Sequence, residues 1–215
     1  MFELFDPAGE VTITEHHFPH WSQKGATYFI TFRTEDSLPV AVYQAWKRGR
    51  DDWLRRQQIN PLSRGWRSAL NKLPREKRLE YHEQFTAQFH DHLDECLGAC
   101  VLKRPEIGGI VAESLRHFEG ERYHLGDFVV MPNHVHLLVQ LLGEVDPETQ
   151  CKSWKHFTAR EINKDLGQSG HFWQAESFDH LVRTSDQFDA IRRYIAENPR
   201  KANLKPGEYI HWERK

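Results

Sequence analysis

Apolar residues recur along this chain with two different periods. Thr27-Tyr28-Phe29-Ile30-Thr31-Phe32-Arg33 is rich in β-branched and aromatic residues and predicts a strand. From Arg75 to about Leu97 the spacing is helical, with apolar positions at Leu79, Phe85, Phe89, Leu93 and Leu97. Pro105 opens a second helix, whose apolar face carries Ile107, Ile110, Val111, Ala112 and Leu115. Two strands follow, Tyr123 to Met131 and His134 to Leu141, joined at Pro132-Asn133. Trp154 to Leu166 predicts a helix that stops at Gly167, and Phe178 to Val182 a short strand.

The last helix is punctuated at both ends. Thr184-Ser185-Asp186-Gln187 fits a capping box, with the Thr hydroxyl accepting from the amide near Gln187. Phe188, Ile191, Tyr194 and Ile195 then recur at helical spacing, and Pro199 is expected to end the helix. Strands interrupted by helices, with an adjacent strand pair in the middle, predict an α+β sandwich.

Composition narrows the picture. At 215 residues the chain is long enough for one domain, 1–215, and no second one is required. No apolar run approaches the roughly 18 to 20 residues of a membrane span. The start, Met1-Phe2-Glu3-Leu4-Phe5-Asp6, lacks the features of a signal peptide, so a cytoplasmic location is expected. Cys96, Cys100 and Cys151 are poorly spaced for a disulfide framework and read as reduced, buried thiols rather than zinc ligands.

A formal net charge of −2 argues against a strongly basic coat for duplex DNA, but it hides one local patch. Lys47, Arg48, Arg50, Arg55, Arg56, Arg64 and Arg67 are interleaved with Trp46, Trp53 and Trp66, against only Asp51 and Asp52. Asn60-Pro61 and Arg64-Gly65 punctuate this segment as loop. The whole reads as a basic, partly helical insertion at about 44–78. Basic groups mixed with flat rings suit single-stranded nucleic acid. Tryptophans that form an ordinary core inside a solvated insertion fit the same pattern, and the sequence leaves both open.

Candidate chemistry concentrates in Pro132-Asn133-His134-Val135-His136. Successive strand side chains alternate faces, so His134 and His136 share one, about 7 Å apart along the strand, while Val135 turns into the core. Neutral imidazole is a common metal ligand. A bare His-x-His is weak in a chain with 14 histidines. The other such pair, His90-Asp91-His92, falls on a predicted helix, where a two-residue step turns the rings apart. Tyr194 and Asn198 lie four apart on the last helix, hence on one face. Spacing alone favours a core tyrosine and a C-terminal cap. A nucleophile with an amide ligand one turn later is the alternative.

Five segments appear in one order: Met131-Pro132-Asn133-His134-Val135-His136, Ser153-Trp154-Lys155-His156-Phe157-Thr158, Phe172-Trp173-Gln174, Phe178-Asp179-His180-Leu181-Val182-Arg183, and the run from Tyr194 to Ala202. Together they resemble the REP-associated tyrosine transposases, a branch of the single-tyrosine HUH transposases, from about Ala26 to Leu204. The resemblance implies a ferredoxin-like antiparallel sheet with helices packed on one face and a C-terminal helix carrying the nucleophile. It implies His134 and His136 as catalytic metal ligands, Asn198 as the third ligand, Tyr194 as nucleophile and Mg²⁺ or Mn²⁺ as cofactor. Lys155, Trp173, His180 and Arg183 match recurrent positions near the site or the DNA, and Arg192 joins them as a DNA-binding candidate. Ala175 departs from the family pattern, where many members carry Arg after the Trp-Gln pair. The implied activity is cleavage and transfer of single-stranded DNA at palindromic hairpins through a 5′-phosphotyrosine, by a monomer or homodimer.

Two other readings share these residues. One is a hydrolytic metal phosphodiesterase in which Tyr194 merely packs. The other is a domesticated protein that binds hairpin DNA without cutting it. A cupin-like oxygenase also uses His-x-His, but Gly-rich β-repeats and a downstream Glu/His partner are lacking.

Overall fold

A computed structural model describes residues 2–9, 12–15, 19–63, 65–175 and 177–215; Arg64 of the basic segment lies outside them. A hairpin of β1 (Thr12–Glu15) and β2 (Pro19–Ser22) precedes β3 (Thr27–Arg33). Helices α1 (Val40–Arg56), α2 (Trp66–Lys72), α3 (Arg75–Tyr81) and α4 (Gln88–Asp94) follow, a π-helical segment His82–Ala87 joining the last two. A 3₁₀ turn at Val101–Lys103 leads to α5 (Pro105–Arg116), β4 (Tyr123–Val130), β5 (His134–Leu141), α6 (Pro147–Leu166), β6 (Phe178–Leu181), α7 (Ser185–Lys201) and β7 (Ile210–Trp212).

The protein is α+β, as the two periodicities predict. Five strands form one antiparallel sheet in the order β6-β3-β5-β4-β7. Alternation along β5 divides the molecule. Val135, Leu137, Val139 and Leu141 join Ile107, Val111 and Leu115 of α5 and Trp154 and Ile162 of α6 in the main core. On the opposite face Leu138 meets Phe29, Val129, Met131, Val182 and Ile195, with Phe188, Ile191 and Tyr194 of α7 packed against them. So α5 and α6 cover one face and α7 the other, the face to which His134 and His136 point.

Local chemistry explains the helix ends. Asp146 caps α6, its carboxylate accepting from Glu148 N at 3.2 Å and Thr149 N at 2.9 Å, with Pro147 in the first turn. That cap starts the helix at Pro147, seven residues before the expected Trp154. Gly167 ends it at φ 62°, a left-handed conformation that costs glycine little. Thr184 caps α7 through Gln187 N at 3.2 Å, as the capping box predicts. The helix does not stop at Pro199 but runs on to Lys201. Pro199 removes one amide in the final turn, where the helix has little left to lose, and its ring is buried.

The tryptophans of the basic segment belong to a second small core. Trp53 and Trp66 are 2% and 7% exposed and pack with Leu54, Ile59, Leu70, Tyr81 and Phe85. Trp46 donates from Nε1 to the Phe85 carbonyl at 3.0 Å. Arg50 lies over the Trp46 and Trp66 rings, 5.1 and 5.3 Å from their centroids, and pairs with Asp51. These indoles therefore hold helices together. The helical stretch between β3 and α5 runs from Val40 to Asp94, beyond both ends of the segment marked by charge.

A bulge in β4 anchors α7. The register shifts between Leu125 and Phe128, and Gly126 sits so close to Leu138 that a Cβ would lie 2.8 Å from the leucine Cβ. Buried Asp127, inside this bulge, accepts from Arg192 Nε at 2.7 Å and from Arg214 N at 3.0 Å. Arg192→Ala is expected to destabilise the fold by about 1–3 kcal/mol, because it strips a buried carboxylate of a charged partner. Thermal unfolding checks this, and an unchanged melting temperature would refute the anchor.

Candidate metal centre and nucleophile

The tight turn between β4 and β5 builds the first half of the site. Met131 N donates to the His134 carbonyl at 2.8 Å, closing the turn around Pro132 and Asn133. The Asn133 side chain is fully buried: Nδ2 donates to the Leu97 carbonyl at 2.8 Å, which leaves Oδ1 facing His134 Nδ1 at 2.7 Å. An amide oxygen needs a donor, so His134 carries its proton on Nδ1 and presents Nε2 as a lone pair. His136 is placed by Thr31 of the neighbouring strand, with Thr31 Oγ1 2.7 Å from its Nδ1. Both imidazoles are fully buried, and Phe29 stacks on His136 at 5.4 Å. Outer partners of this kind orient metal-binding histidines. Asn133→Ala is expected to weaken Mn²⁺ binding roughly 10–100-fold by calorimetry, since the tautomer is no longer enforced. Unchanged affinity would remove Asn133 from this role.

The second half comes from two helices. Asp94, the last residue of α4, reaches His134 Nε2 with Oδ1 at 3.7 Å. One donor atom each from Asp94, His134 and His136 lies within 4.8 Å of the others, close enough to hold one ion. Asn198 of α7 is fully buried, and its Nδ2 donates to Asp94 Oδ1 at 3.0 Å. Among the described residues no hydrogen bond reaches buried Asn198 Oδ1. A buried acceptor left without a donor is costly, and a cation bound beside it would satisfy it. Two imidazoles, a carboxylate and this orphaned amide oxygen fit a divalent metal.

Tyr194 stands one helical turn before Asn198, with its hydroxyl 3.3 Å from His136 Nε2. Phe29 meets its ring edge-on at 6.0 Å, and the Lys201 ammonium lies 4.9 Å from the ring centroid. Burial raises the phenol pKa far above its ordinary value, and the Asp94 charge adds to the effect. Burial also pushes the Asp94 carboxyl up to about 6, against the opposing pull of Asn198 and Lys201. The Asp94 charge thus opposes ionisation of the Tyr194 phenol, and a cation beside the carboxylate would offset it.

The remaining sequence candidates lie outside this cluster. Lys155 Nζ donates to the carbonyls of Gln174 and Ala175 at 3.1 and 2.6 Å, so it ties down the loop after Trp173. Trp173 is 5% exposed, donates to Thr158 Oγ1 at 2.9 Å and meets Phe32 edge-on, so its faces serve the core. Arg192 is committed to Asp127 and Glu213. His180 shares the sheet face of the histidine pair, its Cα opposite Phe29, and contacts Gln187 at 2.5 Å. Arg183 is exposed, 5.8 Å over the Phe5 ring. The cysteines are free thiols, and none joins the donor cluster. Asp94 was missed by the sequence reading. It lies 40 residues before His134 at the end of an ordinary amphipathic helix, where nothing in the spacing marks it.

Fold and site together define a class of protein: an antiparallel sheet that displays paired histidines to a helix bearing a tyrosine and an amide. In sequence, the chain resembles the IS200-like transposases. Their family model matches residues 104–198, less than half the chain but including His134, His136, Tyr194 and Asn198, while Asp94 and α1 to α4 lie outside it. No curated protein matches the chain. A solved structure of the REP-associated tyrosine transposase bound to a REP hairpin matches with a TM-score of 0.45 and 13% identity, covering 87% of this chain and 74% of that one.

Proposed function

We propose that this protein is a metal-dependent transposase that nicks and rejoins single-stranded DNA at hairpin-forming repeats, with Tyr194 as nucleophile. One observation carries the reading: the Tyr194 hydroxyl lies 3.3 Å from His136, at the edge of a buried donor cluster. A structural tyrosine has no need of metal donors on its hydroxyl side.

His134, His136 and Asp94, with Asn198 Oδ1, would hold the ion. When bound, the cation supplies Lewis-acid stabilisation of the phosphate and offsets the Asp94 charge beside the phenol. Mg²⁺ prefers an all-oxygen shell and dehydrates reluctantly, so the two imidazoles favour Mn²⁺ of the two cations expected. Tyr194 Oη attacks the phosphorus and forms a P–O bond as the bond to the 3′ oxygen breaks. The phenol loses its proton, the departing oxygen gains one, and the products are a 5′-phosphotyrosine and a 3′-hydroxyl. Reverse attack by a 3′-hydroxyl rejoins strands without ATP, because the covalent link keeps the bond energy. The sheet holds the histidines rigidly, and α7 holds the nucleophile at fixed height above them.

The decisive experiment incubates the protein with single-stranded palindromic oligonucleotides and Mn²⁺ and looks for a denaturation-resistant protein–DNA adduct. An adduct with a matching nick is expected. Nicking without an adduct would instead establish hydrolysis, and metal-independent binding without a nick would leave a hairpin-binding protein.

A further inference from the structure

A charged side chain stands at the rim of the donor cluster, beside the nucleophile. Lys201 is the last residue of α7, seven beyond Tyr194 and three beyond Asn198. These positions recur at helical spacing, so one face of α7 presents a phenol, an amide and an ammonium in a row. The Lys201 ammonium lies 4.9 Å from the centroid of the Tyr194 ring. Its charge also acts on Asp94, whose carboxylate accepts from Asn198 Nδ2 at 3.0 Å. One cation therefore stands close to the nucleophile and to the carboxylate of the cluster.

Two features distinguish it from an ordinary surface lysine. Among the described residues no carboxylate pairs with it, whereas its neighbour Arg200 is tied to Glu197 at 4.0 Å. The second feature is its position on the open side of the cluster. His134, His136 and Asn198 are fully buried, while Tyr194 and Asp94 are half-buried and Lys201 is exposed. A phosphate approaching the donors therefore passes these three side chains. Asp91, one turn before Asp94 on α4, is exposed as well, and its charge acts on both Tyr194 and Asp94. Of these two exposed charges, Asp91 repels an anion and Lys201 attracts it.

The chemistry at Tyr194 needs such a group. Attack on a phosphodiester builds negative charge on both non-bridging oxygens. With one of them turned toward the metal donors, the other needs a donor from a different direction. An ammonium on a flexible stem supplies a charge-assisted hydrogen bond there.

We propose that Lys201 is a catalytic residue of strand transfer, its ammonium donating to a non-bridging oxygen of the phosphate that Tyr194 attacks. The proposal rests on the nuclease reading. Lys201 keeps its proton throughout, and the bonds made and broken are those of the tyrosine attack. The 5′-phosphotyrosine is still an anionic diester, so the same contact serves the return attack by a 3′-hydroxyl. Without DNA the ammonium rests against the Tyr194 ring, a weak contact at an exposed site that a phosphate readily displaces.

The test compares Lys201→Gln and Lys201→Arg with the wild type in single turnover, at saturating Mn²⁺ and single-stranded hairpin oligonucleotide. Lys201→Gln is expected to slow adduct formation roughly 10²–10³-fold, the cost of one lost oxyanion donor. Hairpin affinity should stay within about threefold, because the contact strengthens as charge develops, and Lys201→Arg should recover most of the rate. Phosphorothioate substrates give a readout that packing does not move. The diastereomer whose sulfur faces Lys201 is expected to lose its rate penalty in Lys201→Gln alone. Inorganic phosphate gives another, read from its ³¹P relaxation by Mn²⁺: Lys201→Gln should weaken its binding by about tenfold or more. Melting curves should coincide, since Lys201 is exposed. An unchanged single-turnover rate in Lys201→Gln, or a loss confined to hairpin affinity, overturns the role of Lys201 and leaves the nuclease reading standing. If the wild type forms no adduct but Lys201→Gln weakens phosphate binding, the phosphate contact stands and the nuclease reading falls. If no adduct forms and phosphate binding is indifferent to the substitution, both fall.

Discussion

Tyr194→Phe is expected to eliminate the covalent protein–DNA adduct and to lower nicking by at least about 10⁴-fold, because the variant has no atom that can form the bond to phosphorus. Binding of the hairpin should change less than about twofold, since the substitution keeps the ring that Phe29 and Lys201 contact. The hydroxyl's contact with His136 is long, at 3.3 Å, so stability should fall by no more than about 1 kcal/mol. Adduct gels, nick mapping and melting curves together make the comparison. Adduct at the wild-type level would transfer the nucleophilic role to another residue. Intact nicking without adduct in both proteins would establish a hydrolytic enzyme in which Tyr194 only packs.

Asp94→Asn is expected to weaken Mn²⁺ binding by more than the roughly 10–100-fold that follows loss of an outer-sphere partner. The substitution removes the one anionic donor in the cluster while keeping its size and its ability to accept from Asn198 Nδ2. Melting of the metal-free protein should therefore stay near the wild-type temperature or rise, since burial already penalises the Asp94 charge. Asp94→Ala makes the useful contrast: it loses the ligand and also strands the Asn198 amide, at a cost of about 1–3 kcal/mol. Calorimetric titration with Mn²⁺ on the three proteins separates ligation from packing. If Asp94→Asn binds Mn²⁺ as tightly as the wild type, the ion is held without Asp94, by His134, His136 and Asn198.

How much of this was readable in advance depended on the range of the interactions. Strands β3 and β5 matched their expected limits, because β3 is rich in β-branched and aromatic residues and β5 is a largely apolar run that begins directly after the Pro132-Asn133 turn and ends shortly before Gly143. The placement of His134 and His136 on one face followed from strand alternation alone. The first two turns of α6 were missed although Asp146, Pro147 and Glu148 form a complete start signal, because the apolar spacing there is weak. Pro199 misled in the opposite direction, since a proline in a last turn costs less than one in mid-helix. Whether Trp53 and Trp66 stack on bases or pack in a core around Tyr81 could not be decided by composition, because both uses need the same residues. Asp94 was invisible for a deeper reason. Its partners are set by how α4 docks on the sheet, a long-range contact with no local imprint.

The π-helical segment His82–Ala87 sets the rotational phase of the helix that follows it. A π turn holds one residue more than an α turn, and each residue rotates everything after it by about 100°. The heading of Asp94 at the far end is thus fixed by a single amino acid's worth of winding twelve residues earlier at most. Shortening that coil by one position would leave the carboxylate chemically intact yet aimed away from both imidazoles. Ligand geometry in this protein is written partly in chain length, so comparisons among its relatives should count residues across this stretch as carefully as they match side chains.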